Sequence, residues 1–302
     1  MSVKRWFFGV LLVSLTALPA AAQDGKGDVI YVPTPQVSVD EMLRMAKISA
    51  SDFLIDLGSG DGRIVITAAT QYGARGLGVD LDTVLLKQAR DAAKRLGVSD
   101  RAQFIEQNLF ETDLSRATVI SSYLLPDMNE KLRPKLLALK PGTRIVAHDY
   151  DMGEWYPDEQ KTLLVPEKQV GDPGKSYVFF WIVPAKIAGK WESLIYAGGR
   201  GVIYEFNFDQ SFQKASGELK ADGKPAHLPV FNVRGDQVNF EVEVPQGAGV
   251  VKHRFQGTVR QDTIEGTVTV AGAPKPLPWT ARLKVRGALR ISALDATGGV
   301  PR

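Results

Sequence analysis

Residues 53–63 read Phe-Leu-Ile-Asp-Leu-Gly-Ser-Gly-Asp-Gly-Arg, and no other stretch constrains the fold as tightly. A short apolar run ends at Asp56 and opens into Gly58, Ser59, Gly60, Asp61 and Gly62, after which a helical pattern runs from Arg63 to about Tyr72. Strand, glycine turn and helix in that order bring backbone N–H groups to a ligand at a helix N-terminus. A dinucleotide fingerprint, G-x-G-x-x-G, would place its third glycine at position 63. Arg63 stands there instead, and the third glycine comes one residue early at Gly62.

The stretch around this turn repeats the same alternation. Strands are expected over 53–57, 76–80, 102–106, 117–123 and 143–148, with helices after the first, second and fourth. Asp82 is placed to cap the second helix, which stops at Gly97, and Lys140-Pro141-Gly142 stops the helix that begins at Pro126. Upstream, Ser38-Val39-Asp40-Glu41 has capping-box spacing and predicts a helix to about Ile48. Strands alternating with helices imply a mostly parallel, Rossmann-like α/β sheet over 23–184. Residues 157–176 read as irregular, and the aromatic run 177–183 reads as a further strand.

The pattern changes after Pro184. From Gly189 to about Val285 the chain shows period-two alternation in short strands, such as 202–208, 238–244, 253–259 and 263–270, separated by turn signals. Residues 185–290 are therefore expected to form a small antiparallel all-β barrel or sandwich. Gly189-Lys190-Trp191 is similar to the G-x-W opening of lipocalin-type barrels. Residues 291–302 read as a flexible tail.

The first 22 residues have the pattern of a signal peptide. Lys4 and Arg5 precede the apolar run Trp6 to Leu18, and Ala20-Ala21-Ala22 offers a cleavage site before Gln23. The run is short for a membrane span, so an exported, periplasmic or secreted protein with no integral span is expected, an uncleaved anchor being the alternative. The net charge is +3, and Lys4 and Arg5 supply two of those charges, which leaves no electrostatic case for a nucleic-acid partner. The chain has no cysteine, which excludes disulfides, thiolate metal sites and cysteine nucleophiles. His227 and His253 lack metal-ligand spacing, and no metal site is expected.

The run Asp56 to Gly62 resembles the first motif of the class I S-adenosylmethionine-dependent methyltransferases, commonly D-x-G-x-G-x-G. Tyr31-Val32-Pro33-Thr34-Pro35 and Tyr123-Leu124-Leu125-Pro126 narrow the resemblance to a branch related to protein-lysine methyltransferases acting on histone cores, mitochondrial carriers and ATP-synthase subunits. The resemblance covers residues 29–183.

It implies S-adenosylmethionine as cofactor, held by Gly58, Ser59, Gly60 and Gly62. Asp56 suits either the cofactor's amino group or a bracing role in the loop. Asp80 would accept both ribose hydroxyls, with Leu81 flanking the adenine. Asn108, followed by Leu109, would read the adenine amino group, though a plain turn fits that site as well. Tyr31 or Thr34 would bind the methionine carboxylate, unless the segment is only a proline-stiffened entry strand. Tyr123 would face the departing methyl group. Tyr123, Asp127 and His148, with Asp149 beside them, lie near strand C-terminal ends and would help a lysine lose its proton. The N-P-P-Y and D-P-P-Y motifs of amide and base N-methyltransferases are absent.

Two readings follow. The first is methyl transfer to a protein lysine. The second is an exported, non-catalytic binding protein in which the methyltransferase fold is a scaffold and the β domain takes a ligand or partner.

Overall fold

The computed structural model describes residues 31–197, 200–246, 249–273 and 275–291; the leader and residues 292–302 lie outside the described residues. Helix α1 (Gln36–Met45) leads into β1 (Phe53–Leu57), α2 (Arg63–Tyr72), β2 (Arg75–Asp80), α3 (Thr83–Arg95), β3 (Ala102–Glu106), β4 (Val119–Ser122), α4 (Pro126–Leu136), β5 (Arg144–His148), β6 (Glu159–Val165) and β7 (Gly174–Ile182). The seven strands form one sheet in the order β3-β2-β1-β4-β5-β7-β6. All neighbours among the first five are parallel, whereas β7 runs antiparallel to both β5 and β6.

β1 is apolar throughout except for Asp56, as a central strand covered on both faces must be. Its alternate side chains enter different cores. Leu54 joins the α1–α3 side with Val65, Leu86 and Val178. Ile55 and Leu57 join the opposite side with Leu132, Leu136, Trp155 and Trp181. Among the described residues that second side has a single helix, α4. No helix links β3 to β4 or β5 to β6, and the connection over 149–158 is irregular apart from one bridge between Met152 and Trp155.

Two expectations need correction. The helix at 38–41 is not started by a capping box. α1 begins two residues earlier, after Pro35, whose carbonyl accepts from the Ser38 and Val39 amides, while Glu41 pairs with Arg44 and Lys161. The fixed φ of proline initiates this helix in place of a side-chain cap. The stretch 157–176 is not irregular, since it contains β6 and the start of β7. β6 is an exposed edge strand, Glu-Gln-Lys-Thr-Leu-Leu-Val, and a strand with only its last residue buried has no hydrophobic alternation to betray it.

The second half is a barrel. Strands β8 (Gly189–Ala197), β9 (Arg200–Ser211), β10 (Lys214–Ala221), β11 (Lys224–Arg234), β12 (Gln237–Gln246), β13 (Gly249–Arg260), β14 (Thr263–Val270) and β15 (Leu277–Arg286) each pair antiparallel with the next. β15 returns to β8 and closes the ring, and β16 (Leu289–Arg290) lies parallel on β9. Closure removes the free sheet edges. The interior is filled with rings. Phe206, Phe240, Phe255 and Trp279 are all buried, and Phe240 and Phe255 stack with centroids 5.1 Å apart. Trp191 of the G-x-W segment is buried and donates to the Ile187 carbonyl at 2.7 Å. The rings pack against one another at the centre of the barrel.

The candidate active site

The glycine loop sits where β1, β2 and β4 end together. The Gly58 and Ser59 amides donate to the Val79 carbonyl at 3.0 and 2.9 Å, which pins the loop to β2. Gly58, Gly60 and Gly62 all take left-handed φ, at 77°, 52° and 78°, a region that side chains with a Cβ avoid. Gly62 is the tightest: a Cβ there would lie 2.5 Å from the Phe104 ring and 2.8 Å from the Ala89 methyl. Gly62→Ala should therefore cost about 2–4 kcal/mol of stability, combining overpacking with the left-handed penalty, read by urea unfolding. An unchanged midpoint would show that α2 and α3 can simply move apart.

Asp80 closes β2 and engages the loop directly. Its Oδ2 accepts from the Gly60 amide at 2.8 Å and its Oδ1 from the Asp82 amide at 2.9 Å. Each carboxylate oxygen has a second lone pair, so both can still accept a hydroxyl. Asp82 caps α3 as its sequence position predicts, accepting from Val84 and Leu85. Leu81 is exposed beside Asp80. Asn108 Oδ1 accepts from the Phe110 amide at 2.9 Å, holding the turn after β3, and Leu109 packs half-buried against the second core.

Asp56 is buried and accepts a 2.6 Å hydrogen bond from the Ser121 hydroxyl. Burial pushes its carboxyl up to about 7; the Asp80 and Asp61 charges push the same way and the Ser121 bond opposes them. The folded state thus holds a proton that the unfolded chain has already released. Its contribution to stability is full below about pH 4 and is lost as pH rises to about 7. The stability difference between the wild type and Asp56→Asn should shrink across that window in pH-dependent unfolding. A flat difference would mean that Asp56 ionises normally.

The entry segment folds over the loop. A Cβ on Gly60 would lie 2.3 Å from Tyr31 Cε2, so the half-exposed Tyr31 ring covers that glycine. Burial, then the Asp61 charge, push the Tyr31 phenol up to about 12. Thr34 is buried, and its carbonyl accepts from Arg63 Nη1 at 2.8 Å, while Arg63 also grips Asp61. The residue that breaks the dinucleotide spacing is thus the one that ties the entry segment to the loop. The spacing alone did not announce that role.

Leu124 borders Gly58, whose Cβ would lie 3.2 Å from the leucine side chain, and Tyr123 precedes it in the chain. Its hydroxyl donates to Asp149 Oδ2 at 3.0 Å. Burial, then the carboxylate, push the Tyr123 phenol well above its ordinary value. Asp149 has a left-handed φ of 61°. Its Oδ1 accepts from the Tyr177 amide, and Lys168 Nζ lies 2.8 Å from its Oδ2 with both side chains almost sealed from solvent. Lys168 also donates to the Asp172 and Lys175 carbonyls, at 3.2 and 2.5 Å. Sequence reasoning did not find Lys168, because nothing near it in the chain marks a buried charge.

His148 is fully buried, bonded to the Ser176 hydroxyl at 3.0 Å and met edge-on by the Tyr123 ring. Burial pushes its imidazole down to about 4, against the pull of Asp149. It lies behind Tyr123, sealed from solvent. Asp127 is exposed in the first turn of α4 and makes none of the bonds in this cluster. The structure thus brings Tyr123, His148 and Asp149 together and leaves Asp127 apart.

The chain is similar to several known proteins. Residues 56–159 match the family model of the ANTKMT methyltransferase domain. A protein-lysine N-methyltransferase of Saccharolobus islandicus is 44% identical over 43% of this chain and 83% of its own length. A lysine N-methyltransferase of an ATP synthase subunit, from Xenopus laevis, is 32% identical over 51% of this chain and 72% of its own. The crystal structure of an RNA methyltransferase from Salinibacter ruber in complex with S-adenosyl-L-homocysteine shares 48% identity over 52% of this chain and 96% of that one, with a TM-score of 0.46. The left-handed loop and the doubly anchored Asp80 form a cradle that suits S-adenosylmethionine, the cofactor of this enzyme. The chain belongs to the class I S-adenosylmethionine-dependent methyltransferases, in the branch that holds the protein-lysine N-methyltransferases.

Proposed function

We propose that the enzyme methylates the side-chain nitrogen of a lysine in a protein. The observation that carries this reading is the 44% identity to a protein-lysine N-methyltransferase across 83% of that relative. In the same reading Gly58, Ser59, Gly60, Gly62, Asp80, Leu81, Asn108 and Leu109 hold the nucleoside end of the cofactor, and Asp56, Tyr31 and Thr34 its methionine end. When bound, the cofactor supplies a methyl group already attached to its leaving group, so the chain's own residues mainly align and desolvate the acceptor.

Tyr123 has a defined part in that task. Its proton points to Asp149, so its oxygen lone pairs are left to accept from an incoming amine. Its raised pKa keeps it protonated, so it orients the acceptor and does not deprotonate it. Tyr123→Phe should slow methyl transfer by about 10- to 100-fold, the worth of ~1–3 kcal/mol for a hydrogen bond, with cofactor affinity unchanged. Equal loss in both would assign Tyr123 to cofactor binding.

The test of function is transfer of labelled methyl groups from S-adenosylmethionine to periplasmic and membrane extracts, followed by amino-acid analysis. Labelled methyl-lysine is expected. Label recovered in RNA, or left on the cofactor, would overturn the assignment. We further propose that residues 1–22 are a cleaved export signal, on the strength of their charged start, apolar run and alanine site. Mass spectrometry of the mature protein should find Gln23 at its N-terminus, and an intact Met1 would refute cleavage.

A further inference from the structure

The second face of the parallel sheet is short of helices, and the barrel fills the deficit. The β9–β10 turn places Phe212 parallel to Trp155, with ring centroids 6.2 Å apart and planes 5° apart. Phe212 belongs to the same buried cluster as Leu132, Trp155 and Trp181 of the methyltransferase domain. The Arg133 guanidinium sits 5.6 Å from the centre of the Phe212 ring and also donates to the Met152 carbonyl. Next to it, Gln213 Nε2 donates to the Tyr156 carbonyl at 2.8 Å. Phe212 holds a left-handed φ of 52°, as do Asp222 and Gln261 at the same position of the β10–β11 and β13–β14 turns.

All these contacts converge on the helix-free connection 149–158. Its first residue is Asp149, which holds the Tyr123 hydroxyl, and Asn129 holds the carbonyls of Tyr150 and Asp151. One end of the segment thus meets the reacting side of the site and the other end meets the barrel. A connection without helical hydrogen bonds keeps one shape only if its neighbours fix it.

We propose that the barrel is a built-in brace for the acceptor side of the active site, with Phe212 and Gln213 as positioning residues acting through segment 149–158. This rests on the reading that Tyr123 and Asp149 face the methyl acceptor. It gives the barrel a task that needs no ligand in its interior.

The test uses the full chain carrying Phe212→Gly, which removes the ring and suits the left-handed backbone. Amide hydrogen exchange over 149–157 should quicken by about tenfold or more, while exchange over 58–62 stays as it was. Cofactor affinity by calorimetry should stay within about twofold, and kcat for labelled transfer to extract proteins should fall roughly 10- to 100-fold, as misplacement of a reacting group predicts. Phe212→Tyr should restore both. If near-UV circular dichroism shows that Phe212→Gly has lost the barrel, Gln213→Ala decides the matter, with the same direction of change expected. Unchanged exchange over 149–157 in the folded variant overturns the brace. Should the wild type methylate no extract protein, the lysine reading fails, while the exchange result still decides this one.

Discussion

Asp80→Ala should weaken binding of S-adenosylmethionine by about 2–4 kcal/mol, roughly 30- to 1000-fold in Kd. Two ribose hydroxyls would lose a charged acceptor, and hydrogen bonds to charged groups are worth about 1.5–3 kcal/mol each. The Gly60 amide would lose its partner too, which loosens the cradle. Asp82→Ala is the matching control. It removes the α3 cap, at about 1 kcal/mol of stability, without touching the proposed ribose contacts. Calorimetry with the cofactor on both variants separates the two effects. Binding by Asp80→Ala within threefold of the wild type would remove Asp80 from the site.

Asp149→Ala should be the most destabilising of the site substitutions, by about 3–5 kcal/mol in urea unfolding. The Lys168 ammonium would stay behind with its side chain only 5% exposed and without its counter-charge. Tyr123 and the Tyr177 amide would lose their acceptor as well. Removing both charges should be milder than removing one, so Asp149→Asn with Lys168→Met should recover much of the loss. A double variant as unstable as the sum of the singles would show that the two groups do not share their energy. Stability and function part company here. The pair costs desolvation to bury, but it fixes the carboxylate that aims the Tyr123 hydroxyl.

The proposed cofactor half of the site is legible because its determinants are local. Asp56 to Gly62 lie in one turn, and Asp80 ends the next strand, so glycine spacing and strand periodicity point to both. The proposed acceptor half is only partly legible. Tyr123, His148 and Asp149 follow strands and were found by position, but their roles depend on what surrounds them. His148 proves to be sealed behind the Tyr123 ring, while Lys168 arrives from the β6–β7 connection with no signal in its neighbourhood. The edge strand β6 escaped notice because its side chains are exposed and carry no alternation.

The amino-acid sequence by itself determined two architectures, parallel α/β and antiparallel β, and the ligand class of the loop. These rest on periodicity and on backbone geometry that only glycine allows, which act over a few residues. Tertiary structure alone decided that the β half closes into a ring-filled barrel and that its β9–β10 turn completes the methyltransferase core through Phe212. It also set Lys168 on Asp149. Those outcomes depend on which surfaces remain uncovered once the sheet has formed, and burial of that kind is a property of the assembled chain.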